Sequence, residues 1–97
     1  MLDVNGAKNN EFLEYKGRPL VRQGDDIYYG DMSDKFYIYM VVMNEAETDH
    51  GIVPVMIMVQ LIDSSSKHPK EQKVFNGTAA LKEAFEFADA WLERYNR

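Results

Sequence analysis

Few residues in this chain are equipped for acid–base, nucleophilic or metal chemistry, and their spacing decides what each is for. His50 closes the run Glu45-Ala46-Glu47-Thr48-Asp49-His50, a set of carboxylates and an imidazole of the kind that holds a divalent ion. The same residue types suit a solvated hairpin tip, where charge discourages edge-to-edge association, and ligand type without fixed geometry does not make a site. No metal is expected. Asp25, Asp26, Asp31 and Asp34 flank Ile27-Tyr28-Tyr29-Gly30 without the alternating oxygen-ligand spacing of a calcium loop, so they read as turn residues around a strand. Ser64, Ser65 and Ser66 sit beside Lys67 and His68, but no glycine-flanked elbow raises a serine nucleophile. With no cysteine there is no thiol nucleophile, thiolate zinc site or disulfide. No catalytic residue and no cofactor are assigned.

The densest basic cluster, Lys67, Lys70 and Lys73, precedes a helix start at Asn76-Gly77-Thr78. Exposed N–H groups and the positive end of the helix dipole favour phosphate or carboxylate there. Lys70, Lys73, Gly77 and Thr78 therefore form a candidate anion site. The competing reading is an ordinary capped helix with solvated lysines, since every helix has such an end.

The elements that must position these residues follow from periodicity. Residues 1–10 read as a flexible tail and 11–97 as one domain. Short apolar runs at 12–15, 19–22 and 27–29, separated by Lys16-Gly17 and Gln23-Gly24-Asp25-Asp26, read as a strand meander. Phe36 to Met43 and Ile52 to Ile62 carry no charge and form a long antiparallel hairpin across the polar stretch Asn44–Gly51, whose acidic tip is expected to project. Residues 63–70 read as a loop, and Lys73–Phe75 as one short edge strand. From Ala79 to Arg94 there is no glycine or proline. Leu81, Phe85, Ala88, Leu92 and Tyr95 recur at helical spacing, with Thr78 or Asn76 as the cap and Trp91 in the core. The fold expected is α+β: an antiparallel meander of four to six strands and one C-terminal helix on one sheet face.

A hairpin register that opposes even to odd residue numbers, such as Ala46 opposite Gly51, sorts the arms into two faces. One carries Phe36, Ile38, Met40 and Val42 with Val53, Val55, Ile57, Val59 and Leu61, a floor for the helix. The other carries Tyr37, Tyr39, Val41 and Met43 with Pro54, Met56, Met58, Gln60 and Ile62. An open sheet face normally alternates to polar residues, and this one exposes more apolar surface than a monomer usually shows. It is expected to be covered by the first strands, by a second copy, or by a ligand or partner protein. Tyrosine and methionine are enriched at interfaces, so Tyr37, Tyr39, Val41, Met43, Met56, Met58 and Gln60 are the candidate interface or ligand face.

Composition bounds the rest. Ninety-seven residues, 45% hydrophobic and 28% charged, fit a single folded domain. No apolar run approaches the roughly 20 residues of a membrane helix, and no basic, apolar leader opens the chain. A net charge of −5 argues against nucleic acid and anionic membrane as partners, because both are met with basic faces. Glu14-Tyr15-Lys16-Gly17-Arg18-Pro19-Leu20-Val21-Arg22, then Ile27-Tyr28-Tyr29-Gly30 and Trp91-Leu92-Glu93-Arg94, resemble a family of small bacterial proteins with no assigned activity. The resemblance implies a cytoplasmic bacterial protein built as a meander plus a C-terminal helix. The function expected is a non-enzymatic interaction module, a homodimer or the partner of another protein. The alternative is a small-ligand or anion binder using the Tyr/Met face or the helix N-terminus.

Overall fold

The computed structural model describes residues 11–96; the tail expected over residues 1–10 lies outside them. Six strands, β1 (Glu11–Tyr15), β2 (Arg18–Gln23), β3 (Asp26–Tyr29), β4 (Phe36–Thr48), β5 (Gly51–Asp63) and β6 (His68–Asn76), precede helix α1 (Ala80–Tyr95). They pair antiparallel in chain order as one sheet, the α+β meander with a terminal helix. Lys16 and Gly17 join β1 to β2 with φ of 51° and 79°, the left-handed pair that tight hairpins require.

The central hairpin keeps the expected parity. Phe36 opposes Asp63, Ile38 opposes Leu61, Met40 opposes Val59 and Val42 opposes Ile57. The register lies two residues from the one written above, with Ala46 opposite Val53, so the faces sort as expected. The aliphatic face is the core. Ile27, Tyr29, Phe36, Ile38, Met40, Val42, Ile57, Val59 and Leu61 are buried beneath Ala80, Ala84, Ala88 and Leu92 of α1.

Those helix residues repeat every four positions and three are alanines, so α1 seats closely on the sheet with little side chain between. Leu81, Phe85, Trp91 and Tyr95 pack partly buried at its flanks. Trp91 packs against the core as expected, partly buried at its flank beside Phe87, ring centroids 4.6 Å apart. Close approach also explains Gly30. Its φ is 103°, and a Cβ there would lie 3.0 Å from Leu92 Cδ1. At the far end of α1, the Asn96 side chain accepts from the Phe36 N–H and donates to the Phe36 carbonyl, both at 2.9 Å, fastening the helix to the start of β4.

Three boundaries differ from expectation. Each arm of the hairpin has 13 residues, because Asn44–Thr48 continues the strand and only Asp49-His50 turns. Thr48 Oγ1 organises that turn, accepting from the His50 N–H at 3.1 Å and donating to the Gly51 carbonyl at 2.8 Å. β6 spans nine residues where a loop and a short strand were expected. Backbone pairing with β5, from His68 opposite Asp63 to Asn76 opposite Met56, holds polar residues in a strand that hydropathy alone does not mark. Its Pro69, Lys70 and Lys73 are the residues that guard an exposed edge. Finally, α1 is capped by Ala79 without any side-chain bond. The Gly77 carbonyl accepts the Ala80 N–H at 3.1 Å, so a backbone turn takes the place of a Thr78 or Asn76 cap.

Candidate functional site

The helix covers one face of the sheet. On the other, cross-strand pairing sets out three ranks: Val21, Tyr28, Tyr39, Gln60 and Gln72; then Asp26, Val41, Met58 and Val74; then Asn44, Met56 and Asn76. The Tyr28 and Tyr39 rings pack at a tilt of 43°, centroids 5.3 Å apart. The Tyr39 hydroxyl donates to Asp26 Oδ1 at 2.7 Å, and Gln60 Nε2 donates to Gln72 Oε1 at 2.9 Å. Tyr39, Val41, Met56, Met58 and Gln60 are half-buried by their neighbours in the sheet, and Met43 is 55% exposed. Tyr37, expected on the surface of this face, is buried with its pair Ile62. Among the described residues no strand or helix lies over the face, since α1 packs on β4, β5 and β6 from the opposite side.

Sequence reading missed Tyr28, Val21 and Val74 as members of this face. The alternation of Ile27-Tyr28-Tyr29 carried the signal, because one tyrosine of an adjacent pair must point each way. Strand order was also needed to bring β2 and β6 alongside.

The face continues past the body of the sheet. Pairing of β3 with β4 ends at Val41, and pairing of β6 with β5 ends at Met56. Beyond these points β4 and β5 run on as a two-stranded arm that carries Glu45, Glu47 and the 66%-exposed Ile52. At its root the register is irregular between Val42 and Glu45, opening a shallow cleft of about 300 Å³ lined by Asp25, Val42, Met43, Asn44 and Glu45.

A polar cluster sits where α1 crosses the first strands. Arg18 bonds Asp89 Oδ1 and donates to Glu93 Oε2 at 3.1 Å. The Tyr29 hydroxyl reaches the Tyr15 carbonyl at 2.9 Å and Asp89 Oδ1 at 3.2 Å. Burial, then the Asp89 charge, pushes the Tyr29 phenol up to about 12. Hydrogen bonding to Asp26, then burial, pushes Tyr39 up to about 12 as well. Both phenols are neutral in the native state up to a higher pH than in the unfolded chain, where tyrosine ionises near 10. Their contribution to stability is complete below pH 10 and is lost as pH rises from 10 to about 12. Urea midpoints should therefore fall steeply across that interval, and Tyr29→Phe should flatten the fall. An equal slope in wild type and variant would show that Tyr29 ionises as an exposed phenol does.

The candidate anion residues do not converge. Lys70 and Lys73 lie on β6, with Lys73 Nζ 5.6 Å from the Phe75 and Phe87 ring centres. The Gly77 N–H donates to the Val55 carbonyl at 2.8 Å, so it is already engaged, and Thr78 is exposed. The serine loop is built by Asp63, whose Oδ1 accepts from the Ser65 N–H at 2.9 Å and hydroxyl at 2.7 Å; Ser64 Oγ donates to the Asp34 carbonyl at 2.5 Å. Asp31 likewise accepts from the Ser33 N–H and hydroxyl at 2.9 and 2.7 Å. Those bonds hold Asp31 and Asp63 below the usual carboxylate range, and for Asp31 they fit its reading as a turn residue. Among the described residues no three His, Asp or Glu side chains gather at metal-binding distance. An apolar cleft between Leu81 and Phe85 of α1 and Leu13 and Leu20 of the first strands measures about 180 Å³, below the roughly 300 Å³ at which ligand pockets begin. No helix among the described residues is long and apolar enough to cross a membrane.

No protein-family model matches this chain, and neither a curated protein nor a solved structure matches it.

Proposed function

We propose that this protein is a non-enzymatic interaction module that self-associates through its Tyr/Met sheet face. One observation carries the reading. A single helix seals the aliphatic face, while Tyr28, Tyr39, Val41, Met56 and Met58 line the opposite face with no described strand or helix over them. An apolar sheet face is normally buried against another element, and among the described residues no strand or helix packs on this one. Tyrosine supplies rigid amphipathic contact area and methionine adapts to its neighbour's shape, which suits both to a face that meets another protein. The setting we propose, a bacterial cytoplasm, rests on the sequence resemblance alone.

Absolute molar mass from light scattering, between about 1 and 100 μM, tests the reading. The expected mass is twice 11.2 kDa at the upper concentrations. Met58→Glu sets a charge in the middle of the face and should give a folded monomer, because an unpaired charge buried in an interface costs several kcal/mol. A wild-type chain that stays at monomer mass throughout would end this reading.

A further inference from the structure

We infer that the cleft between α1 and the first strands is a binding site for a small monocarboxylate with an apolar body of about six carbons, held by Arg22. The site lies on the helix side of the sheet and stands apart from the reading of the Tyr/Met face. An overhang creates it. α1 packs on β4, β5 and β6, and the sheet continues beyond it, with Leu13 paired to Leu20 and Arg22 to Ile27 on the helix-side face. Leu81 and Phe85, on the flank of α1, form the facing wall. Tyr15 and Tyr29 pack their rings on Phe85, centroids 5.2 and 5.6 Å away, so that wall is built before any ligand arrives. Ile27, 2% exposed, closes the bottom, and Leu13, 45% exposed, stands at the mouth.

Among the described residues Arg22 is the one charged group lining this cleft, and it is half-buried. Its Nε donates to the Gly24 carbonyl at 2.9 Å, which holds the guanidinium in place. Neither Nη group makes an ion pair among the described residues. Arg18, the other arginine of β2, shows the contrast, since its two Nη groups meet Asp89 and Glu93. A half-buried cation against apolar walls lacks part of its hydration, and a carboxylate makes up the loss with two parallel N–H···O bonds.

Charge, lining and size together set the ligand class. A single guanidinium matches one carboxylate, whereas a phosphate dianion calls for further donors that these walls lack. Apart from Arg22 the lining is Leu, Ile and Phe, the mostly apolar construction with one placed polar group that small-molecule sites share. A wholly apolar molecule would cover Arg22 without pairing it, at the cost of its remaining hydration. The volume of about 180 Å³ excludes a drug-sized ligand, yet an apolar cavity of about 150 Å³ lined by Leu, Ile and Phe takes a six-carbon ring. A body of that size fills the cleft with its carboxylate turned to Arg22.

The test titrates sodium hexanoate into the full chain and follows backbone amide shifts by NMR, with the native fold of each variant first checked by urea midpoint. Saturation is expected on the order of 1 mM, as for a ligand of about eight non-hydrogen atoms. The largest shifts should fall at Leu13, Leu20, Ile27, Leu81 and Phe85. Hexanamide keeps the body without the charge and acetate keeps the charge without the body, and each should bind at least tenfold more weakly. Arg22→Met should weaken hexanoate at least tenfold and leave hexanamide unchanged. Glu11→Gln, at the position opposite Arg22 in the register, should bind hexanoate at least as tightly as wild type. Equal binding of hexanoate and hexanamide, shifts centred elsewhere, or no binding by about 20 mM would overturn the site, whether or not the chain self-associates. An acetylated peptide ending in leucine that binds tenfold more tightly than hexanoate would overturn the free acid as the occupant.

Discussion

Leu92→Ala should cost about 2–5 kcal/mol of unfolding free energy, the range for truncating a buried leucine to alanine. A domain of this size has only about 5–15 kcal/mol in all, so one side chain carries a large share. The reason lies in how α1 meets the sheet. Ala80, Ala84 and Ala88 bring the helix close but contribute a single methyl each, and Leu92, 1% exposed, is the only large fully buried side chain that α1 supplies. Its Cδ1 fills the space above Gly30, where the chain leaves β3, so a cavity there cannot close by a simple shift of neighbours. The urea midpoint should drop while the slope stays unchanged, the mark of lost stability without a change in the surface exposed. A loss below about 1 kcal/mol would mean that the site collapses readily and that the alanine stripe alone seats the helix.

That stripe shows where sequence reading succeeded and where it stopped. The strand meander, the hairpin parity and the single helix were all legible, because apolar alternation and helical spacing report directly on burial. The face of α1 was displaced, since alanine carries little hydropathy and the larger Leu81, Phe85 and Tyr95 dominate the count. Close helix–sheet contact favours the small residues at the centre and leaves the large ones at the flanks. β6 was the hardest element to see. All but one of its residues are exposed, so the property that makes it a strand, backbone pairing to β5, leaves no mark on residue type. The Tyr/Met face was visible in the hairpin arms, and its extension to Tyr28, Val21 and Val74 waited on strand order. The anion cluster was a proximity in sequence only; an extended β6 separates Lys70 and Lys73 from the helix start.

The polar cluster at the other side of α1 was not foreseen at all, because Arg18 and Asp89 lie 71 residues apart. Asp89→Ala should destabilise the domain by about 1–3 kcal/mol, between an exposed pair at about 0–1 and the loss of one partner from a buried pair at about 3–5. The side chains of Arg18 and Asp89 are 23% and 17% exposed, which sets the case between those limits. Removing the carboxylate leaves Arg18 with the exposed Glu93 as its one ion-pair partner among the described residues, takes the second acceptor from the Tyr29 hydroxyl, and removes the anion 4.0 Å from Lys16. Most of the cost is the stranded guanidinium, and this makes the effect separable. Arg18→Met retains the apolar stem and discards the charge, so the double variant Arg18→Met/Asp89→Ala should cost at least about 1 kcal/mol less than the two single changes added together. High salt should change this coupling little, because the partners are mostly shielded from solvent, whereas Lys82 and Glu86, a helical pair exposed on α1, should lose theirs. Strict additivity of Arg18→Met and Asp89→Ala would mean that the pair is solvated in solution and that Tyr29, through the Tyr15 carbonyl, holds this edge of the sheet without it.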